Sequence, residues 1–216
     1  YKPDDVVPVA MVSTFAFVLA VGPAVPESVR NLKDYLAWAN SNKANAVFGS
    51  PAAGATPHLV GMLLSKASGV ELTHVPYRGD APGIQDLLGG QVPAYLSTTG
   101  SFSPHMKSGR LRLLAVSGVS RNPIAPDVPT FREQGYPVDL IEWTGIFAPK
   151  GTPPAVLQRV GSAVSAVVAQ PDFAKFLAEL GMTPKTMTPQ AFAELVRAET
   201  EQWRADIKKI GFTAES

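Results

Sequence analysis

The first two-thirds of this 216-residue chain alternate strand-length apolar runs with helix-length amphipathic segments, and few fold classes accept that rhythm. Val6–Val12 and Phe15–Val21 are apolar runs of strand length. A helix is expected to open at Pro26-Glu27-Ser28, with Leu32, Tyr35, Leu36 and Ala39 on one face. Ala46-Val47-Phe48 reads as a strand, Thr56 to Ser68 as a helix, and Leu72 to Val75 as a short strand. Asp80 caps a helix that stops at Gly89-Gly90; Val92–Leu96 and Leu111–Val116 are strands around a short helix capped by Ser101 or Ser103. The alternation argues for an α/β fold: mostly parallel sheets flanked by helices on both faces. Residues 122–137, rich in proline and polar residues, read as a connection. Glu142–Pro149 is then a returning strand. Helices start at Thr152-Pro153-Pro154, at Pro171 and at Thr188-Pro189, the last with Phe192, Leu195, Val196, Trp203, Ile207 and Ile210 on one face.

Composition narrows the function classes. Nineteen Lys and Arg nearly cancel eighteen Asp and Glu, so nothing in the charge favours nucleic acid or a membrane surface. There is no cysteine, which excludes disulfides, thiolate metal sites and cysteine nucleophiles. No apolar stretch approaches the ~20 residues of a membrane span, so no direct membrane insertion is expected.

The stretch Gly49-Ser50-Pro51-Ala52-Ala53-Gly54-Ala55-Thr56-Pro57-His58-Leu59 carries the strongest functional signal. A strand ends at Gly49, small residues follow, and Thr56 reads as an N-cap with Pro57 as the first helical residue. Such a loop suits an anion, because free N–H groups and the helix dipole meet there. Two further strand-to-helix loops, Pro76–Asp80 and Ser97–Ser101, are expected to line the same crevice beyond the strand ends. Tyr77 offers an aromatic wall and a phenol, and Arg78 a cation. Plainer readings stand beside these: small loops join strands to helices in any α/β fold, Arg78 reads as solvated, and Asp80 as a cap. The stretch is neither a P-loop nor a dinucleotide fingerprint, because the Lys-Ser/Thr and the glycine spacing are absent.

Catalysis has thin support. His58 and His105 each follow a proline near a helix start, where the dipole favours a neutral imidazole; with His74 they form no spaced metal motif. Gly-x-Ser-x-Gly is absent. A nucleophile would need His58 to serve Ser50 or Ser101. No carboxylate pair stands out for acid–base work.

Six stretches in register then resemble one family, the periplasmic solute-binding proteins of tripartite tricarboxylate transporters (the Bug family). They are Gly49-Ser50-Pro51 with Gly54 and Pro57-His58-Leu59; His74-Val75-Pro76-Tyr77-Arg78-Gly79; Asp86 to Val92; Pro104 to Arg112; Pro126 to Thr130; and Phe147 to Pro154. The resemblance implies a two-lobed type II periplasmic-binding-protein fold, with a first lobe of residues 1–40 and 118–216, a second of 41–117, and crossovers near 40–45 and 117–142. It implies a small organic acid held in an interlobe cleft, a transmembrane permease as partner and a periplasmic location, with no cofactor and no metal. Carried over, the ligand-binding residues are Ser50, Ala53, Gly54, Thr56, Tyr77, Thr98 and Phe15, the last in a Thr14-Phe15-Ala16 turn. Ala52 and Ala55 depart from the glycine and serine common in the family. Members also carry a signal peptide and a strand–helix segment with a first-lobe ligand loop. This chain opens on Tyr1-Lys2-Pro3-Asp4-Asp5, so the first lobe is expected to be incomplete, with an exposed sheet edge and apolar patch. The expected function is delivery of a carboxylate to a transporter without chemistry; the alternatives are a serine hydrolase-like enzyme and a ligand-sensing receptor module.

Overall fold

The computed structural model describes residues 2–213, which form two compact units. One comprises the chain up to Phe15 with Glu142–Lys209; the other comprises Ala16–Ile141 with the chain from Ile210 onward.

The two expected strands at the start are one. Strand β1 runs unbroken over Val6–Val21, 16 residues, so Phe15 lies in extended chain and not in a turn. Ser13 and Thr14 suggested a break, but Ser13 is fully buried because its hydroxyl meets Thr144 Oγ1 at 2.8 Å and the Met182 sulfur at 3.7 Å. The second half of β1 builds the larger unit's sheet. It pairs antiparallel with β4 (Ala94–Thr98), from Phe17↔Thr98 to Val21↔Ala94, and antiparallel with β5 (Arg112–Val116). Strand β2 (Val47–Ser50) pairs parallel with both β3 (Thr73–Pro76) and β4. The order is β3-β2-β4-β1-β5, a mixed sheet of an α/β unit.

These pairings move the domain boundaries. Residues 16–40 and 118–141, expected with the first lobe, pack with residues 41–117, because β1 supplies the partner that β4 and β5 both need. Helix α1 spans Leu32–Ser41 and starts later than the proline at position 26 suggested: Asn31 takes the cap, its Oδ1 accepting the Asp34 N–H at 2.9 Å. Helices α2 (Thr56–Ser68) and α3 (Asp80–Gly89) follow β2 and β3; the four-residue α4 (Thr99–Phe102) follows β4. Both faces of the sheet are covered, so β1 reads as a continuous apolar run. Ala16, Val18 and Ala20 on one face join Ile84, Leu87, Tyr95, Phe102 and Val116 in a single cluster.

In the smaller unit the first half of β1 pairs with β6 (Ile141–Pro149) and with the two-residue β7 (Thr183–Pro184). Helices α5 (Pro154–Val168), α6 (Pro171–Glu179) and α7 (Pro189–Ile210) complete it. The stripe on α7 is anchored by Phe192, fully buried with its ring 4.8 Å from Trp143 and 5.4 Å from Phe147.

Candidate functional site

Because β2, β3 and β4 are parallel, the loops after Ser50, Pro76 and Thr98 leave the sheet along one edge. Backbone bonds tie the first two loops together: the Tyr77 N–H donates to the Ser50 carbonyl and the Gly79 N–H to the Pro51 carbonyl, both at 2.9 Å. Side chains tie the second to the third, since the Ser97 and Ser101 hydroxyls each donate to the Asp80 carboxylate at 2.7 Å. The three loops of the sequence reading thus form one cross-linked edge.

Within the first loop the local geometry differs in detail. The N-cap of α2 is Ala55, extended at φ −74° and ψ 160°; Thr56 and Pro57 are already helical, and no side chain caps the helix. The methyl of Ala55 has no acceptor to offer, so the positive end of α2 is left without a side-chain partner from this position. Gly54 holds φ at +73°, a left-handed value that a side chain resists. Gly49 is required for space: a Cβ there would lie 2.7 Å from the Tyr95 ring and 2.8 Å from the Tyr77 ring.

Several groups expected to face a ligand are engaged inside the protein. Ser50 is fully buried, and its hydroxyl lies 2.7 Å from His74 Nε2. The Gly54 N–H donates to His58 Nδ1 at 3.0 Å. The Tyr77 hydroxyl donates to Asp86 at 3.0 Å, and burial together with that carboxylate pushes its pKa up to about 12. Thr98 caps α4, its Oγ1 accepting the Ser101 N–H at 3.4 Å, and it also meets the Ser101 hydroxyl at 2.8 Å. Ala53 is exposed; Gly54, Thr56 and Thr98 are half-buried; Arg78 is solvent-exposed. Phe15 is the last residue of the smaller unit, two positions before the Phe17↔Thr98 pair.

Sequence reasoning missed two features. One is the histidine pair behind the loop. His58 and His74 stack with ring centroids 3.7 Å apart, and the edge of Phe212 meets His58 at 5.5 Å. Burial lowers the pKa of both, and His58 adds to the effect on His74, which falls to about 4. A neutral imidazole was expected at His58 from the helix dipole; desolvation is the cause here. The other is Asp80, read as a cap, whose carboxylate gathers the Ser97 and Ser101 hydroxyls with Tyr95 OH at 3.4 Å. The spacing of serines two strands away gave no signal of this.

The weighed pairing of His58 with Ser50 or Ser101 is not formed. His58 Nδ1 accepts from the Gly54 backbone, Ser50 meets His74, and Ser101 donates to Asp80. Among the described residues no group of His, Cys, Asp or Glu is placed to hold a metal ion, and no helix is long and apolar enough to cross a membrane. A hollow of about 210 Å³, walled by Met106, Leu113, Ala125 and Val128, lies at the β5 edge of the sheet, away from the three loops.

Comparison with known proteins gives the family. The family described as the tripartite tricarboxylate transporter family receptor matches residues 1–212. A protein of Pseudomonas sp. (strain P51), the UPF0065 protein in the tcbD-tcbE intergenic region, is 36% identical over 207 residues, 94% of this chain and 61% of its own length. BugT of Bordetella pertussis is 29% identical over 209 residues, 96% of this chain and 64% of its own. The chain therefore spans roughly three-fifths of the curated relatives it matches. Among solved structures, R. palustris Rpa4515 with adipate superposes with a TM-score of 0.89 at 30% identity, over 98% of this chain and 71% of that one. MatC of Rhodopseudomonas palustris, with bound malate, gives a TM-score of 0.82 at 28% identity, over 96% and 71%. The chain belongs to the tripartite tricarboxylate transporter receptor family.

Proposed function

We propose that this chain binds a small carboxylate at the edge formed by the loops after β2, β3 and β4, and that it serves as a periplasmic receptor delivering that ligand to a transmembrane permease. The observation that carries the reading is the junction itself: an α2 N-terminus with no side-chain cap, cross-tied to two hydroxyl-bearing loops at the carboxyl ends of parallel strands. Adipate and malate in two structural relatives support a carboxylate as ligand. Thr56, Gly54 and Ala53 line the first loop, Thr98 the third, and the Tyr77 ring the second; Ser50 acts from behind by holding the loop to His74. The ligand is bound and released unchanged. A hydrolase reading finds no support in Ser50, whose side chain has no exposed surface to offer a substrate.

Binding to the native state alone raises stability by about 2.7 kcal/mol at a hundredfold excess over Kd. Thermal melts of the chain with millimolar adipate, succinate and L-malate test the reading, and an upward Tm shift with at least one is expected. No shift with any, and no heat of binding by calorimetry, would overturn it.

A further inference from the structure

The hydroxyls around Asp80 form a chain with a direction. Each hydroxyl has one proton, and a carboxylate has none. Ser97 donates to Asp80 Oδ1 and Ser101 to Oδ2, both at 2.7 Å, with Tyr95 OH at 3.4 Å from Oδ1. The proton of Ser101 is thereby committed. Its other short contact, 2.8 Å to Thr98 Oγ1, then has Thr98 as the donor. Thr98 has given away its single proton in turn, and one of its lone pairs takes the Ser101 N–H at 3.4 Å. What the hydroxyl of Thr98, a half-buried residue of the third loop, has left to offer is a lone pair.

A bare carboxylate oxygen set against that lone pair would be repelled, and the charge of Asp80 two bonds along the chain adds to the repulsion. A hydroxyl or ammonium at the same place would be accepted. We infer that Asp80 is a specificity-determining residue: by polarising Ser101 and Thr98 it makes this edge read a hydrogen-bond donor on the ligand, so that the carboxylate bound is a hydroxy- or amino-substituted acid. The inference rests on the proposed carboxylate site and names the ligand class for it.

Succinate, L-malate and L-aspartate share one four-carbon skeleton and differ in the group at one carbon: hydrogen, hydroxyl or ammonium. Calorimetric titration of the full chain with each, and with adipate, separates the possibilities. L-malate or L-aspartate is expected to bind at least ~10-fold tighter than succinate, the size of one well-made hydrogen bond; which of the two leads identifies the donor. In Asp80→Asn the amide can donate to Ser101, the chain can reverse, and the preference should fall to within ~2-fold, with succinate gaining. Ser101→Ala keeps the Asp80 charge but frees the Thr98 proton, so a loss of preference there isolates the polarised chain from charge alone. Thr98→Val, which removes the acceptor and keeps the shape, should lose the preference also if either other variant fails to fold. Succinate or adipate binding as tightly as the substituted acids in the unaltered chain would overturn the inference and leave the carboxylate site standing. Binding of none of the four would remove the site and the inference together.

Discussion

The two units place their apolar residues differently. In the larger one the sheet is covered on both faces, and β1, β4 and β5 contribute side chains that are almost wholly buried from Ala16 to Val116. In the smaller one Val9, Met11 and Phe192 are hidden, Phe192 against Trp143 and Phe147, while Val156, Val167 and Leu180 remain more than two-fifths exposed and Phe176 is 52% exposed. Isolated apolar residues on a surface are ordinary, but several on α5 and α6 make a thin core. The three loops after β2, β3 and β4 belong to the well-buried unit, which suits the proposed site, where hydrogen-bond geometry must hold to a few tenths of an ångström. Packing density there is what keeps small loops in place.

The sharpest way to break that contrast is to remove the anchor of the thinner core. Phe192→Ala should cost about 3–5 kcal/mol, read by urea unfolding followed by tryptophan fluorescence. A cost below about 1 kcal/mol would mean that the smaller unit has another centre. Next in size is Gly49→Ala, whose methyl would enter the Tyr95 and Tyr77 rings at 2.7 and 2.8 Å. Overpacking of this kind costs about 1–3 kcal/mol, and here it should also weaken carboxylate binding, since Gly49 lies at the end of β2, just before the loop. Unchanged affinity in a destabilised Gly49→Ala would separate the loop from the packing behind it. A smaller effect, about 1 kcal/mol, is expected for Glu199→Ala in the smaller unit, where Glu199 accepts the Trp143 indole N–H at 2.6 Å; a double-mutant cycle with Trp143→Phe measures it.

The gentlest probe is pH, and it addresses the units unequally. His58, His74 and His105 all lie in the larger unit. The folded-state pKa of His74 is about 4, below the ordinary histidine value of 6.5, so the unfolded chain holds more protons between those values. Stability from the neutral pair is therefore complete above about pH 6.5 and is lost as pH falls toward 4. The Tm should decline across that window, and His74→Asn should flatten the decline. A slope unaffected by the substitution would assign the acid sensitivity to carboxylates elsewhere.

Much of the fold was legible because local signals agreed. Thr56-Pro57 announced the start of α2, and Thr188-Pro189 before Phe192 announced α7. The continuity of β1 was not legible, since Ser13 is satisfied by Thr144 and Met182, residues more than 130 positions away. Likewise the start of α1 turned on Asn31 outcompeting a proline-led start, a choice settled by one cap bond to Asp34. At the site, the three loops could be named from glycines, prolines and hydroxyls. Which way their protons point could not, because that depends on Asp80 meeting Ser97 of β4 and Ser101 of α4.

Phe212 touches the loop at Gly54 and His58, although it follows the last helix of the chain. Its neighbour Thr213 is exposed, and the sequence contains no cysteine. A single Thr213→Cys therefore offers a unique thiol for an environment-sensitive dye beside the loop, so that the proposed carboxylate binding could be read by fluorescence.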